Sequence, residues 1–379
     1  MKILHLIDSG GLYGAEVMLL NLAGEQLRMG LEPTIASIGE KGIPEKPIEK
    51  AARENGLPLQ TFRMAPGFNV AGALRILRYA RRSGFQIFHS HGYKANIFFG
   101  LMPSRLRRVP MVSTLHGWTS TGGFKKIRLY EALDRLSLCF VDAVVCVNAG
   151  MLENPRIKNL KQVKRLWVVD NGLPMDPMAQ DGRETPGAIP ETDAGLFCNR
   201  KRFTIGTIGR LSTEKGYDDL IMALARIVQN GVDARLIIIG EGYARRQLEN
   251  TIRISGLSER VFLTGYRPDA RRYMPFFDAY AISSLTEGLP ITLLEAMQAR
   301  IPVVATRVGG IPHVLEGGRN GILVEPGNPS ALSEGILRLA HDPDLGKALV
   351  RNAYRRVAGS YSSRRMAENY RNIYNQLLR

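Results

Sequence analysis

The sequence of 379 residues is poor in cysteine and has no long apolar run. Its three cysteines are scattered and form no C-x-x-C pair, which argues against a disulfide framework and against a cysteine zinc site. No apolar run approaches the roughly 20 residues that span a bilayer. The run after Met1 and Lys2 stops at Asp8, too soon for a secretory signal. We therefore expect a cytoplasmic protein without a membrane-spanning segment.

Acidic residues are in deficit. The chain has 51 Lys and Arg against 35 Asp and Glu, a net charge of +16. Residues 1–170 contain 24 basic and 13 acidic residues, a balance of +11, and the remainder contains 27 and 22, a balance of +5. Such an excess suggests an anionic partner: nucleic acid, a phospholipid surface or a phosphorylated substrate. Aromatic residues make up only 7% of the chain and the basic residues cluster on predicted helices, so no nucleic acid is expected.

Short β-rich runs alternate with helical patterns, which predicts parallel sheets with helices on both faces. The composition changes after Asp170, where residues 171–199 carry four prolines and little periodicity, and the alternation then restarts. We therefore expect an α/β protein of two doubly wound, Rossmann-like domains facing a central cleft. The predicted parts are a first domain over 1–170, a linker over 171–200, a second domain over 201–359, and a C-terminal helix at about 360–379 that packs back on the first domain.

The individual elements follow from the same patterns. The predicted strands are Ile3–Ile7, Pro33–Ile38, Leu59–Phe62, Gln86–His89, Met111–Leu115, Ala143–Val147, Phe203–Ile208, Leu236–Ile239, Val261–Leu263, Ala279–Ile282, Val303–Ala305 and Ile322–Val324. The predicted helices cover 15–29, 46–55, 71–83, 94–106, 125–139, 216–230 and 243–254.

Two strand-to-helix turns contain residues that suit an anion. The first strand is followed by Gly10 and Gly11, which let backbone approach a ligand near a helix N-terminus, although the spacing is not the G-x-G-x-x-G dinucleotide fingerprint. The strand 203–208 is followed by a loop with Arg210 and Lys215. An arginine fork and a lysine point charge five residues apart can converge on a pyrophosphate. Alone, the first turn is also explained as a structural glycine-rich turn, and the second as a loop with two solvated cations.

The sharpest motif is the segment from Glu287 to Glu295, Glu-Gly-Leu-Pro-Ile-Thr-Leu-Leu-Glu, which follows a predicted strand and opens a helix. Two carboxylates eight residues apart can face one cleft at different depths, one toward the hydroxyls of a ribose and the other toward those of a sugar. The backbone between them lies at the helix start, where N–H groups suit phosphate or sugar oxygens and a proline suits the first turn. These positions are Gly288, Leu289, Pro290 and Ile291.

Two candidate metal motifs are not supported by their context. Asp342-Pro343-Asp344 has the D-x-D form but precedes a helical pattern, so we predict a turn and a helix N-cap. His89 and His91 lie two apart at a strand end, but the sequence shows no third ligand at a spacing suitable for zinc. We predict that His89 is structural and that His91, with Lys94, is either structural or lines an acceptor site. No metal and no cofactor are expected.

Taken together, these motifs resemble those of the retaining, GT-B-fold glycosyltransferases of family four (glycosyl transferases group 1), and the resemblance covers nearly the whole chain. One departure is His313, which stands where relatives commonly have glutamate after Gly-Gly-Ile-Pro and leaves the identity of the donor open. Further matching segments are His116-Gly117, Gly240-Glu241-Gly242, Pro302–Thr306, Gly309–Pro312 and Asn320–Val324.

The resemblance implies a role for each matching residue. Arg210 and Lys215 would bind the donor diphosphate, and Glu295 the ribose. Glu287 would hold hydroxyls of the transferred sugar, with His116 beside that sugar near the reacting carbon. The expected catalytic residues are His116, Glu287 and Gly11, the last close to the diphosphate and the acceptor. The expected donor-binding residues are Gly10, Arg210, Lys215, Glu241, Gly288, Leu289, Pro290, Ile291 and Glu295.

The implied activity is metal-independent transfer of a sugar, with retention, from a nucleoside-diphosphate sugar to a saccharide acceptor. UDP-sugars are the commonest donors in the family. The alternatives are another enzyme of the same fold, such as a sugar-nucleotide epimerase, and a protein that binds an anionic polymer.

The basic first half adds an expectation about the acceptor. Arg75, Arg78 and Arg82 share one face of the predicted helix 71–83, opposite an apolar stripe of Ala73, Leu74, Leu77 and Ala80. We predict that this domain docks on the anionic cytoplasmic leaflet and that the acceptor is a lipid-linked saccharide, as in bacterial polysaccharide or lipopolysaccharide assembly. Neighbouring basic residues expected on the same surface are Arg81, Arg105, Arg107, Arg108, Lys125, Lys126 and Arg128.

Overall fold

The computed structural model describes residues 1–8, 11–65, 67, 69–116, 125–153, 157, 165–175, 202–267 and 270–379, without the side chains of 125–128 and 153. Its contacts divide the chain into two compact units, Met1–Pro174 with Ser362–Arg379, and Met175–Tyr361. Most of the predicted linker 171–200 lies outside the described residues, as do Gly10, Gly117 and Cys198.

The strands and helices are numbered in chain order. The strands are β1 Lys2–Ile7, β2 Glu32–Glu40, β3 Leu59–Met64, β4 Ile87–Ser90, β5 Met111–Leu115, β6 Ala143–Cys146, β7 Leu166–Val168, β8 Phe203–Ile208, β9 Ala234–Ile239, β10 Val261–Leu263, β11 Ala279–Ile282, β12 Val303–Thr306 and β13 Ile322–Val324. The helices are α1 Gly14–Arg28, α2 Pro47–Glu54, α3 Val70–Arg82, α4 Tyr93–Ala95, α5 Ser104–Arg107, α6 Lys125–Leu138, α7 Tyr217–Gln229, α8 Arg245–Ile254, α9 Ile291–Gln298, α10 Ile311–Val314, α11 Pro329–His341, α12 Pro343–Ser360 and α13 Ser363–Leu377. A π-helical turn covers Asn96–Gly100, and 3-10 turns cover Ala149–Glu153, Thr213–Lys215, Ala270–Phe276 and Glu316–Gly318.

The first unit is built on a seven-stranded parallel sheet of order β3-β2-β1-β4-β5-β6-β7. Its central strands are apolar and buried because helices cover both faces of a parallel sheet. The strand order reverses between β1 and β4, so the loops that follow these strands separate at the carboxyl edge, where ligands of such sheets bind. The C-terminal helix α13 also belongs to this unit and packs against α1, with Tyr370 and Tyr374 fully buried.

The second unit holds a six-stranded parallel sheet of order β10-β9-β8-β11-β12-β13, whose order reverses between β8 and β11. Buried aliphatic residues of α7, such as Leu220 and Leu224, pack with Leu236 and Ile238 of β9 in its core. The predicted α/β class, with two doubly wound parallel sheets, is confirmed. Among the described helices, none is long and apolar enough to cross a membrane.

Two local predictions were wrong. The helix predicted over 94–106 is interrupted: it consists of α4, the π-helical turn and α5, because Pro103 cannot continue a helix through its own position. Strand β7 was not predicted, since it has only three partly exposed residues and no alternating pattern. The remaining predicted strands agree with the observed ones to within two residues.

Candidate active site

The loops that follow β8 and β11 touch at the reversal of strand order in the second unit. Ser283 Oγ donates to the carbonyl of Lys215 at 2.8 Å, and the backbone N–H of Leu285 donates to the carbonyl of Glu214 at 2.8 Å. Gly216 makes this approach possible, because its φ is +61° and a Cβ there would lie 2.2 Å from the carbonyl oxygen of Ser283. Two loops that were predicted separately therefore form one site.

An ion pair joins these loops. Lys215 Nζ lies 2.5 Å from Glu287 Oε1, and Ser284 Oγ donates to the same oxygen at 2.7 Å. Ser284 is held in turn by Thr306, whose Oγ1 donates to its carbonyl at 2.6 Å. The side chains of Lys215 and Glu287 are only 23% and 11% exposed. Because an ammonium has three donors, Lys215 can neutralise Glu287 and still donate to an anion.

Arg210 lies in the loop after β8. Its Nη2 is 3.0 Å from Glu214 Oε1, and the Tyr243 hydroxyl is 3.4 Å from the other carboxylate oxygen. Burial favours the neutral acid, but hydrogen bonds from Ser212 and backbone, together with the Arg210 guanidinium, lower the pKa of Glu214 overall. Glu214 is therefore charged at neutral pH and holds the guanidinium in the loop.

The motif from Glu287 to Glu295 spans the start of α9. Pro290 was predicted in the first turn of this helix. It is instead the N-cap residue, because α9 begins at Ile291. The turn before it is fixed by Gly310, whose N–H donates to the carbonyl of Gly288 at 2.7 Å. Gly309 allows this contact, since its φ is +54° and a Cβ there would lie 2.0 Å from the carbonyl oxygen of Glu287.

The carboxylates of Glu287 and Glu295 both raise the pKa of the buried Tyr280 hydroxyl. Burial is the main reason why the pKa of Tyr280 is raised, and the negative charges of Glu295 and Glu287 raise it further. Tyr280 also bonds to the last residue of β8, since the N–H of Ile208 donates to its hydroxyl at 3.2 Å. Both carboxylates are therefore near Tyr280, and their facing one cleft at different depths stays a prediction.

Glu241 has a different environment from the other predicted donor residues. Its carboxylate forms a bidentate pair with Arg245, with both shortest distances 2.8 Å, and this hydrogen-bonded pair lowers the pKa of Glu241. Arg245 also reaches Glu249, at 3.0 Å. Glu241 is therefore part of an exposed ion-pair network with Arg245 and Glu249 of α8. The predicted role of Glu241 in binding the donor stays a prediction.

At the carboxyl edge of the first sheet, charged residues surround the loop after β1. Asp8 accepts from Lys46 Nζ at 3.1 Å and from Lys94 Nζ at 3.0 Å. Gly11 is buried in this loop, and Gly10 lies outside the described residues. His116 follows β5 and is half-buried at the same edge.

A buried histidine cluster lies under this edge. His5 and His89 are in register on β1 and β4, and His91 follows β4, so their rings point to one face. One ring nitrogen of each of these three residues lies within 4.8 Å of those of the other two. His5 is a third histidine that no sequence spacing pointed to, because it lies 84 positions from His89.

The cluster is nevertheless satisfied by hydrogen bonds. His89 lies 2.6 Å from the Tyr374 hydroxyl and 2.7 Å from Thr114 Oγ1, and His5 contacts Gln26 and His91. Burial lowers the pKa of His5 to about 4 and that of His89 well below its usual value. The prediction that His89 is structural agrees with these contacts, and His91, 5% exposed, is buried with it.

The D-x-D segment has the predicted structural role. Asp342 is the N-cap of α12, and its carboxylate accepts from the N–H of Leu345 at 2.9 Å. Asp344 is in the first turn of that helix and pairs with Lys347 at 2.9 Å.

Two family profiles match the chain, one over each half. Residues 13–176 match the profile described as "Glycosyltransferase Family 4" and residues 189–356 the profile described as "Glycosyl transferases group 1". The chain is a family-four glycosyltransferase. The predicted resemblance is thereby confirmed, and the protein is a transferase.

Individual relatives of this glycosyltransferase differ in how much they share with it. The lipopolysaccharide core biosynthesis glycosyltransferase LpsE of Rhizobium meliloti is 27% identical over 374 residues, 98% of each chain. The alpha-D-kanosaminyltransferase of Streptomyces kanamyceticus is 32% identical over 174 residues, 45% of each chain. A crystal structure of Anabaena HepE in complex with UDP-glucose superposes with a TM-score of 0.81 at 22% identity, over 99% of this chain and 100% of that one. The structural similarity to HepE shows that this chain has the GT-B fold.

Proposed function

We propose that this glycosyltransferase moves a sugar from a UDP-sugar to a lipid-linked saccharide, with retention of configuration and without a metal ion, in the assembly of a bacterial cell-surface polysaccharide or lipopolysaccharide. The observation that carries the donor half is the cluster of Lys215, Glu287 and Ser284 beside Arg210, at the carboxyl edge where α/β sheets bind ligands. In this proposal Arg210 and Lys215 bind the diphosphate, Glu295 the ribose and Glu287 the sugar hydroxyls.

The reaction needs stabilisation of a leaving diphosphate. The bond between the anomeric carbon and the phosphate oxygen breaks, and its electron pair goes to the leaving UDP. The acceptor hydroxyl forms the new bond on the same face, and its proton passes to the donor phosphate oxygen. Fixed cations and helix N–H groups stabilise the negative charge that develops on UDP. Lys215 and Arg210 would supply the positive charges, and the start of α9 would supply the N–H groups.

The donor is tested with the purified protein. HepE was crystallised in complex with UDP-glucose, and this supports UDP over other nucleotides. At 100 times its Kd, UDP should stabilise the protein by about 2.7 kcal/mol, and GDP and ADP by much less, as a thermal-shift series would show. Hydrolysis of the best UDP-sugar should persist in EDTA. A larger thermal shift with GDP would indicate a GDP-sugar as the donor. Activity that is lost in EDTA and restored by magnesium would contradict the metal-free reaction.

The acceptor half is supported by a surface of the first unit. Three exposed apolar side chains, Val70, Leu74 and Leu106, are 68%, 47% and 60% exposed. Arg75 and Arg78 are also exposed on α3, which carries no acidic residue. We call these five residues the basic patch. The Arg81 guanidinium donates to the carbonyl of Leu106, which joins α3 to α5.

This surface differs in two residues from the predicted one. Leu74 was expected in the buried stripe of α3 but is exposed, whereas Ala73, Leu77 and Ala80 are buried as expected. Arg107 was expected on the surface but is 1% exposed and pairs with Asp142 at 2.6 Å. Exposed aliphatic side chains beside arginines are typical of a surface that enters the headgroup region of an anionic membrane.

Membrane docking has a direct test. Each arginine near an anionic surface contributes about 1 kcal/mol, so Arg75→Glu/Arg78→Glu/Arg82→Glu should weaken binding to phosphatidylglycerol vesicles by at least about a hundredfold. Leu74→Glu/Leu106→Glu should weaken it as well, without changing the number of arginines. Co-sedimentation measures both. The matched control is Arg226→Glu/Arg246→Glu/Arg253→Glu, three exposed arginines of the second unit. Equal recovery with neutral and anionic vesicles, or an equal loss in the control, would reject the docking surface.

A further inference from the structure

A chain of hydrogen bonds runs beneath His116 on one face of the first sheet. His5 Nε2 lies 2.8 Å from Gln26 Oε1, and His5 Nδ1 lies 3.0 Å from His91 Nε2. His91 Nδ1 lies 3.3 Å from His116 Nε2. We call Gln26, His5, His91 and His116 the histidine chain. It connects α1, β1 and the ends of β4 and β5.

The amide of Gln26 sets the direction of the protons. Its Nε2 donates to the Tyr374 hydroxyl at 3.2 Å, which turns Oε1 toward His5. An amide oxygen only accepts, so His5 carries its proton on Nε2 and its Nδ1 accepts from His91 Nε2. By the same rule, the bare Nδ1 of His91 accepts from Nε2 of His116.

This rule holds when each ring is neutral. His5 and His91 are 0% and 5% exposed, and both nitrogens of each ring have a partner in the chain. Burial lowers the pKa of His5 and of His116 to about 4 and holds the pKa of His91 well below its usual value. At neutral pH each ring therefore carries one proton, and the position of one proton fixes the others.

The Tyr374 hydroxyl continues the same order of protons. Because its oxygen accepts from Gln26, its own proton goes to His89 Nδ1, 2.6 Å away. His89 Nε2 then donates to Thr114 Oγ1 at 2.7 Å, and Tyr370 bonds to the same hydroxyl at 2.9 Å. Both tyrosines come from α13. The C-terminal helix thus supplies two hydroxyls that are hydrogen-bonded to this network.

We propose that Gln26, His5 and His91 are positioning residues that hold the proton of His116 on Nε2 and leave its Nδ1 with a lone pair. A neutral imidazole with a bare Nδ1 accepts a hydrogen bond from a hydroxyl and supplies neither a proton nor a positive charge. His116 would therefore act on the transferred sugar as an acceptor for one of its hydroxyls. This last step rests on the proposed function, whereas the tautomer of His116 does not.

The tautomer is measured without any donor. In the protein labelled with 15N-histidine, two-bond 1H–15N spectra distinguish Nε2–H, Nδ1–H and the charged ring, and a His116→Gln variant assigns the signal. We expect His116 at neutral pH with a proton on Nε2 only. A proton on Nδ1, a charged ring, or one equivalent of zinc in the purified protein would overturn the proposal whether or not the enzyme is active. Failure to turn over any nucleotide sugar, with the spectrum as expected, would instead reject the proposed function.

Two variants test the connection. Gln26→Met removes the acceptor of His5 at similar volume, and Tyr374→Phe removes the hydroxyl to which the amide donates. One variant can be studied if the other folds poorly. Either should convert His116 to a mixture of tautomers and lower kcat roughly two- to tenfold, the value of one neutral hydrogen bond, with KM for the donor changed less than about twofold. Gln376→Met, an exposed glutamine of α13, is the matched control. A purely structural role would lower stability and leave the tautomer of His116 unchanged, and that result would overturn the proposal.

Discussion

Replacing Lys215 by methionine should weaken UDP binding by about a hundredfold. A charge-assisted hydrogen bond to an anion contributes about 1.5–3 kcal/mol, which alone accounts for roughly ten- to a hundredfold. The structure adds a second loss. Glu287, 11% exposed and 2.5 Å from Lys215 Nζ, would lose its counter-ion, and its negative charge would then face the diphosphate. Arg210→Ala should cost less, about tenfold, because Arg210 is 39% exposed and partly screened by solvent.

The pairing predicts how the two effects combine. Glu287→Gln alone should leave UDP affinity unchanged or slightly higher, since it releases the ammonium of Lys215. It should lower turnover, because the proposed partner of Glu287 is the sugar. In Lys215→Met/Glu287→Gln, the unpaired carboxylate is absent, so part of the lost affinity should return. Calorimetry with UDP measures all four proteins, and Lys347→Met, on the exposed face of α12, serves as the control. Unchanged affinity in Lys215→Met would remove this residue from the donor site, and strictly additive effects would show that the pair is not coupled.

The sequence predicts the fold well because parallel strands buried on both faces leave a clear record. Runs such as Phe203–Ile208 and Met111–Leu115 were predicted with the bounds that the structure shows. The misses lie where local signals are weak or conflict. Leu166–Val168 is a strand because it pairs with β6. Its own sequence carries no pattern that predicts a strand. The segment 94–106 has a helical pattern, but Pro103 divides it.

The site was predictable as a set of loops and not as a set of contacts. Arg210, Lys215 and Glu287 could be selected because each lies in a segment that follows a strand, and strand ends meet at one edge of a sheet. Glu295 lies on α9 and was selected by its spacing from Glu287. The ion pair between Lys215 and Glu287 joins positions 72 apart in the chain, and no spacing rule contains it. His5 was overlooked for a similar reason, since only the register of β1 against β4 places it beside His89. In hindsight, a histidine in each of two adjacent apolar strands was the available signal.

Mild acid should destabilise the first unit strongly. His5 is fully buried and its pKa is lowered to about 4, whereas in the unfolded chain it is 6.5. Between these values the unfolded chain binds a proton that the folded one does not, so the free energy of unfolding falls as the pH falls. For His5 alone the loss from pH 7 to pH 5 is about 2 kcal/mol, and it is complete below pH 4. His89, His91 and His116, whose pKa values are also lowered, add to the loss in the same direction.

Urea denaturation at pH 7 and pH 5, followed by tryptophan fluorescence, measures this loss in the first unit, because Trp167 lies on β7 of that unit. In His5→Gln the difference between the two pH values should shrink by about 2 kcal/mol, since one proton-binding group has been removed. His341→Gln, an exposed histidine of the second unit, should leave it unchanged. An equal pH dependence in His5→Gln and in the original protein would mean that His5 is not held neutral by burial, and the tautomer assigned to the histidine chain would then lose its basis.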